Sequence, residues 1–171
     1  MVEGKHLNLR LVEESDAEFI LNLRIDDSLG KFLSKTDISL DKQKEWIKNY
    51  KSREKEKKEF YFIIQNKQGD SYGTIRIYNI NMQNREFEWG SWALLANRPE
   101  NFSYLSIIES FNYAFYKLSL KKALINVRVE NRKAHYIYEK IGCQEIKRNE
   151  IDIYLEYTRE NFEKFKKCFE A

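Results

Sequence analysis

The run VRVENRKAHYIYEKIGC, Val127 to Cys143, compresses a strand, a capped turn and a short helix into seventeen residues. Val127 and Val129 alternate as in a strand, Asn131 is a good N-cap, and Ala134, Ile137, Tyr138 and Ile141 share one helical face. Lys140 suits the negative end of the helix dipole, and Gly142 tolerates the left-handed conformation that closes many helices. Upstream, the strand begins at Ala123. Before it Leu105, Ile108, Phe111, Phe115 and Leu118 recur at helical spacing, a stripe broad enough to lie on a sheet. Downstream, Cys143 to Ile146 and Ile151 to Tyr157 read as a hairpin turning near Arg148 and Asn149. Arg159 to Phe169 reads as an amphipathic helix carrying Phe162, Phe165 and Phe169.

Toward the N-terminus, His6 to Val12 alternates as a strand, and Ser15 is expected to cap a helix, with Glu18 completing the capping box. Asp26 to Ser39 is polar and irregular, long enough for a lid or pocket loop. A second helix starts at about Asp41 and carries Trp46, Ile47 and Tyr50. From Glu59 the period becomes two, giving strands Phe60 to Gln65, Ser71 to Asn79 and Glu86 to Leu95 in an antiparallel meander. The order βααβββαβαββα predicts one α+β domain spanning 1–171, a mixed, mostly antiparallel sheet flanked by helices.

Composition narrows the function classes. With 42% hydrophobic and 33% charged residues the chain is globular, and its longest apolar runs, Phe60 to Ile64 and Trp92 to Ala96, fall far below the ~18 residues of a membrane helix. Glu3, Lys5 and His6 interrupt any early apolar run, so no secretory signal and a cytoplasmic location are expected. Cys143 and Cys168 lie far apart, outside metal-ligand spacing. A net charge of +3, from 30 basic and 27 acidic residues, argues against a nucleic-acid surface; the basic run Lys51 to Lys58 is broken by Glu54 and Glu56. Walker, dinucleotide, H-E-x-x-H and G-x-S-x-G signatures are absent, and His6 and His135 are too distant to suggest a pair.

NRKAHYIYEKIG, Asn131 to Gly142, matches N-x-x-A-x-x-x-Y-E-K-x-G, and with the order of elements around it the chain resembles the GNAT superfamily of acetyl-CoA-dependent N-acetyltransferases over nearly its whole length. The resemblance implies acetyl-CoA as cosubstrate. It implies that Asn131 and Ala134 line the pantetheine arm and that Tyr138 faces the thioester sulfur. A phenol of ordinary pKa near 10 can donate to a leaving thiolate whose conjugate thiol lies near 8.5. The family's strand before the phosphate loop corresponds to EFEWGSWALL, Glu86 to Leu95, so Trp92, Leu94 and Ala96 are expected along the cofactor. Glu88 is expected as general base, with Glu86 on the same strand face as reserve and Trp89 as pocket wall. The phosphate loop departs from the family. RPENFS, Arg98 to Ser103, has no glycine, and Pro99 removes a donor; Arg98 offers charge, Asn101 can enter left-handed geometry, and Ser103 can cap.

The N-terminal third, EFEWGSW and IDIYLEYTRENFEKF resemble GNAT members that acetylate a nucleotide-linked deoxy-amino sugar for bacterial surface glycans. That resemblance implies a small-molecule amine acceptor met by Arg24, Lys31, Phe32 and Trp46, with arginine suited to diphosphate and aromatics to a base or deoxy-sugar methyl. The balanced charge and short apolar runs lead to no nucleic-acid and no membrane partner being expected, and the chain is expected to be a monomer or homodimer. The alternatives are a protein N-terminal acetyltransferase of the ribosomal type and a non-catalytic acyl-CoA-binding module.

Overall fold

A computed structural model describes residues 1–25 and 39–171. The elements run β1 (Val2–Glu3), β2 (Asn8–Leu11), α1 (Ala17–Ile25), α2 (Leu40–Lys55), β3 (Phe60–Gln65), β4 (Ser71–Asn81), β5 (Glu86–Leu94), α3 (Phe102–Asn112), β6 (Lys122–Arg128), α4 (Arg132–Ile141), β7 (Gln144–Arg148), β8 (Asp152–Thr158) and α5 (Arg159–Phe169). The eight strands form one sheet in the order β1-β2-β3-β4-β5-β6-β8-β7. Every neighbouring pair is antiparallel except β5 with β6. This is the expected α+β architecture. Among the described residues no helix is long and apolar enough to cross a membrane.

Both faces of the sheet are covered, which explains why β3, FYFIIQ, is buried at every position. Phe62, Ile64, Ile75, Ile77, Phe87 and Trp89 pack under α3 with Ile107, Ile108, Phe111 and Phe115. Tyr61 and Ile63 point the other way, against Ile20, Ile47 and Tyr50 of α1 and α2.

The local readings held best where the signals were short-range. Asn131 accepts from the Ala134 N–H at 3.3 Å, and Gly142 closes α4 at φ 102. Three details differ. β1 is an extra strand, pairing Val2 with Leu9, too short to show a period. Ser15 is not a cap: Glu13 and Asp16 form the capping box of a 3₁₀ turn, Glu14–Asp16, before α1. Arg10 holds Asp16 there through two contacts of 2.7 and 2.9 Å. Finally, α3 passes into a π-helical turn, Tyr113–Lys117.

One irregularity positions everything that follows. β5 pairs with β6 only through Glu86, Phe87 and Glu88. Two residues on, β5 carries one more residue than β4 between the pairs Arg76↔Gly90 and Thr74↔Ala93. Ser91 absorbs the surplus at φ 51, and the Thr74 hydroxyl donates to its carbonyl at 2.8 Å. A bulge bends and twists its strand. Here β5 leaves β6, and the sheet opens.

Candidate active site

The opening is a cleft of 960 Å³ that reaches from the α3/α4 side of the sheet to the α1/α2 side. On the first side, Trp92, Leu94 and Ala96 line one wall, and Asn131, Ala134 and Tyr138 line the other. The indoles are fixed from α3: Trp89 donates to Ser110 and Trp92 to Ser106, both at 3.0 Å. Tyr138 stands edge-on to Trp89 and tilted to Trp92, with centroids 5.9 Å from each. Its ring is 6% exposed, and its hydroxyl makes no hydrogen bond to the described residues. Burial, and next the nearby Cys143, push the phenol well above its ordinary pKa, so the group is a neutral O–H donor. Because the Asn131 carbonyl is spent on capping α4, its NH₂ is the part left for a ligand.

The glycine-free loop Arg98 to Ser103 finds its left-handed residue in Asn101. Asn101 sits at φ 62, ψ 5, the left-handed conformation its side chain tolerates, and it heads α3. Ser103, expected as a cap, is instead the second residue of the helix, where its hydroxyl accepts from Arg98 Nε at 3.2 Å. Arg98 is tied down again through Nη1 to the Leu95 carbonyl at 2.9 Å. The Phe102 N–H bonds back to Pro99, while those of Ser103 and Tyr104 meet no backbone acceptor. Two N–H groups at a helix N-terminus suit a pyrophosphate. Arg98, Asn101 and Ser103 also line a smaller hollow of 340 Å³ above the loop. Asn101→Ala is expected to cost about 1 kcal/mol, because alanine lacks the short amide that lets asparagine tolerate left-handed backbone, and to weaken coenzyme A binding. Asn101→Gly is expected to preserve both; melting curves and calorimetry with coenzyme A check the pair.

On the α1/α2 side, Arg24 and Trp46 line the cleft as expected from sequence, whereas Trp89 lines it from the α3 side. Lys31 and Phe32 lie outside the described residues. The carboxylates take other places. Glu86 pairs with Lys122 at 3.1 Å, where β5 and β6 still run together, and does not line the cleft. Glu88 lies opposite Tyr78 on the neighbouring strand; its carboxylate accepts from the Asn79 amide and also lies outside the lining. The sequence reading missed Gln43, Tyr61, Thr74, Arg76 and Tyr78, which form this half. Their available signal was the alternation of β4, which puts Thr74, Arg76 and Tyr78 between buried Ile75 and Ile77.

A sheet split between two parallel strands, a helix N-terminus presenting free N–H groups at the split, and a phenol over it define an acyl-CoA-dependent acyltransferase. The family model of the acetyltransferase (GNAT) domain matches residues 6–144, and the chain belongs to that family, whose enzymes use acetyl-CoA as cosubstrate. Over 98% of this chain and 95% of the other, it superposes on a solved structure described as an apo nucleotide-linked sugar GNAT, FdhC, with a TM-score of 0.88 and 32% identity. It is 27% identical to the spermidine N(1)-acetyltransferase of Vibrio cholerae, covering 83% of this chain and 81% of that one. A putative ribosomal N-acetyltransferase of Bacillus subtilis, YdaF, is 26% identical over 83% of this chain and 80% of its own.

Proposed function

We propose that this N-acetyltransferase acts on the primary amine of a nucleotide-linked amino sugar. The observation that carries the reading is the charge of the cleft. On the α1/α2 face its described lining contains Arg24, Arg76 and Arg128 against Asp152, and Asp152 is already paired with Arg128 at 3.7 Å. A polyamine would meet like charge there, whereas a diphosphate would meet its complement. The full-length likeness to a nucleotide-linked sugar GNAT supports the same reading.

Acetyl-CoA supplies an activated acetyl group when bound. Ser103 and Tyr104 N–H groups, with Arg98, hold its phosphates; Asn131 and Ala134 border the pantetheine; Trp92, Leu94 and Ala96 form the facing wall. Tyr138 presents its proton to the sulfur as the new C–N bond forms and the C–S bond breaks. The amine must arrive neutral, and Glu88, which sits on the acceptor face behind Tyr78, takes its proton through solvent.

The purified chain, assayed for thiol release with acetyl-CoA, is expected to turn over UDP- or TDP-linked amino sugars and to ignore spermidine and peptides with free N-termini. Turnover of spermidine or peptides alone would overturn the acceptor assignment. Binding of coenzyme A with no turnover of any amine would point to a non-catalytic module, and a Glu88→Gln variant with unchanged kcat would remove the proton-accepting role.

A further inference from the structure

We propose that Arg76 is the anion anchor of the acceptor half of the cleft and receives a phosphate of the acceptor. The inference rests on the nucleotide-linked reading above and names the residue that would enforce it.

Arg76 is held on three sides. Its guanidinium lies 3.8 Å from the centre of the Tyr78 ring and 5.4 Å from that of Trp46, and its Nε approaches Glu59 Oε1 at 2.9 Å. The Glu59 contact is a meeting of charges without hydrogen-bond alignment: Nε is buried with no hydrogen-bond partner. The buried Nε is turned to Glu59, and the Nη atoms make no hydrogen bond among the described residues, so they remain as donors while the plane is fixed. Its side chain is 21% exposed and lines the cleft.

The local charge does not balance. Glu59, buried at 5% exposure, is shared between Arg53 and Arg76. One carboxylate against two guanidiniums leaves a surplus positive charge beneath the acceptor site. Asp152 is the carboxylate that lines the cleft on this face among the described residues, and it is already paired with Arg128 at 3.7 Å. A pre-oriented planar fork with surplus charge matches two oxygens of a phosphate better than any neutral group. Trp46 completes the arrangement differently from the sequence expectation. Its ring stacks on Tyr50 at 12° between planes and also neighbours Arg53 and Arg76. It is a platform for the guanidinium. Glu59 is accordingly a positioning residue.

The test titrates TDP by calorimetry into protein saturated with coenzyme A, which fills the α3 phosphate site first. Wild type is expected to bind TDP, and Arg76→Gln to bind it about tenfold or more weakly, the loss of a charge-assisted contact, with coenzyme A affinity unchanged. With a TDP-linked amino sugar, Arg76→Gln and Glu59→Gln are expected to raise KM while kcat stays near wild type, which a general loss of structure would not do. Arg76→Lys keeps the charge and loses the fork; it is expected to weaken TDP as well, and gives the same reading if Arg76→Gln fails to fold. TDP binding that ignores all substitutions at Arg76, or that is absent in wild type, overturns the proposal. Nucleotide sugars turned over with an Arg76-independent KM sink this proposal alone. Arg76-dependent TDP binding without nucleotide-sugar turnover sinks the acceptor assignment alone.

Discussion

Tyr138→Phe is expected to lower kcat by about two orders of magnitude, the lower end of what a positioned general acid contributes, while leaving folding stability within about 0.5 kcal/mol of wild type. The two halves of that expectation have separate causes. The ring packs between Trp89 and Trp92, and phenylalanine retains that contact. The hydroxyl makes no hydrogen bond to the described residues, so its removal strands no buried partner. What disappears is the proton offered to the sulfur. Burial raises the pKa of this phenol above the ordinary value near 10, and a raised pKa keeps the proton in place as pH rises. Wild-type kcat is therefore expected to show no alkaline fall from Tyr138 between about pH 7 and 10. Single-turnover rates with wild type and variant, alongside melting curves, check all three points. An unchanged rate would remove the acid role.

Gly73→Ala is expected to destabilise the fold by about 2–3 kcal/mol and to impair coenzyme A binding with it. Gly73 pairs with Leu94, one position from the pair Thr74↔Ala93 that borders the bulge. A Cβ there would lie 2.3 Å from the Ala93 carbonyl oxygen and 2.5 Å from Leu94 Cδ2. The first neighbour is backbone, so relief requires β5 to move. Leu94 lines the cleft, and a shift of β5 changes the wall that faces Asn131 and Ala134. Denaturant unfolding and calorimetry with coenzyme A measure the two effects. A variant of wild-type stability would show that the strand pair yields more easily than its geometry implies.

These two residues illustrate unequal legibility. The helix that carries Tyr138 could be read from sequence because α4 is specified within a dozen residues: a cap at Asn131, an apolar stripe and a left-handed stop at Gly142 all act over one to three turns. The left-handed Asn101 was legible for the same reason, since a single residue's conformational tolerance decides it. Gly73 carries no such signal. Its constraint comes from a carbonyl twenty residues away, brought close by strand pairing and by a bulge that no local pattern announces.

The acceptor side shows the same division in its charges. Strand alternation placed Glu88 on one strand face with Glu86, yet the Asn79 amide and the position of its carboxylate keep it off the cleft lining. Arg76 read as one polar residue in a strand until Glu59, Trp46 and Tyr78, from three other positions, enclosed it.

By itself, the sequence determined the main elements apart from the short β1, their order, the α+β class, the cap and stop of α4 and the glycine-free loop, because periodicity, capping and turn preference are interactions between near neighbours. Only the tertiary structure decided where the sheet parts, which carboxylates reach the opening and which arginine faces the acceptor. Those depend on register and bulges between strands far apart in the chain, where one added residue at Ser91 redirects a strand and opens the site.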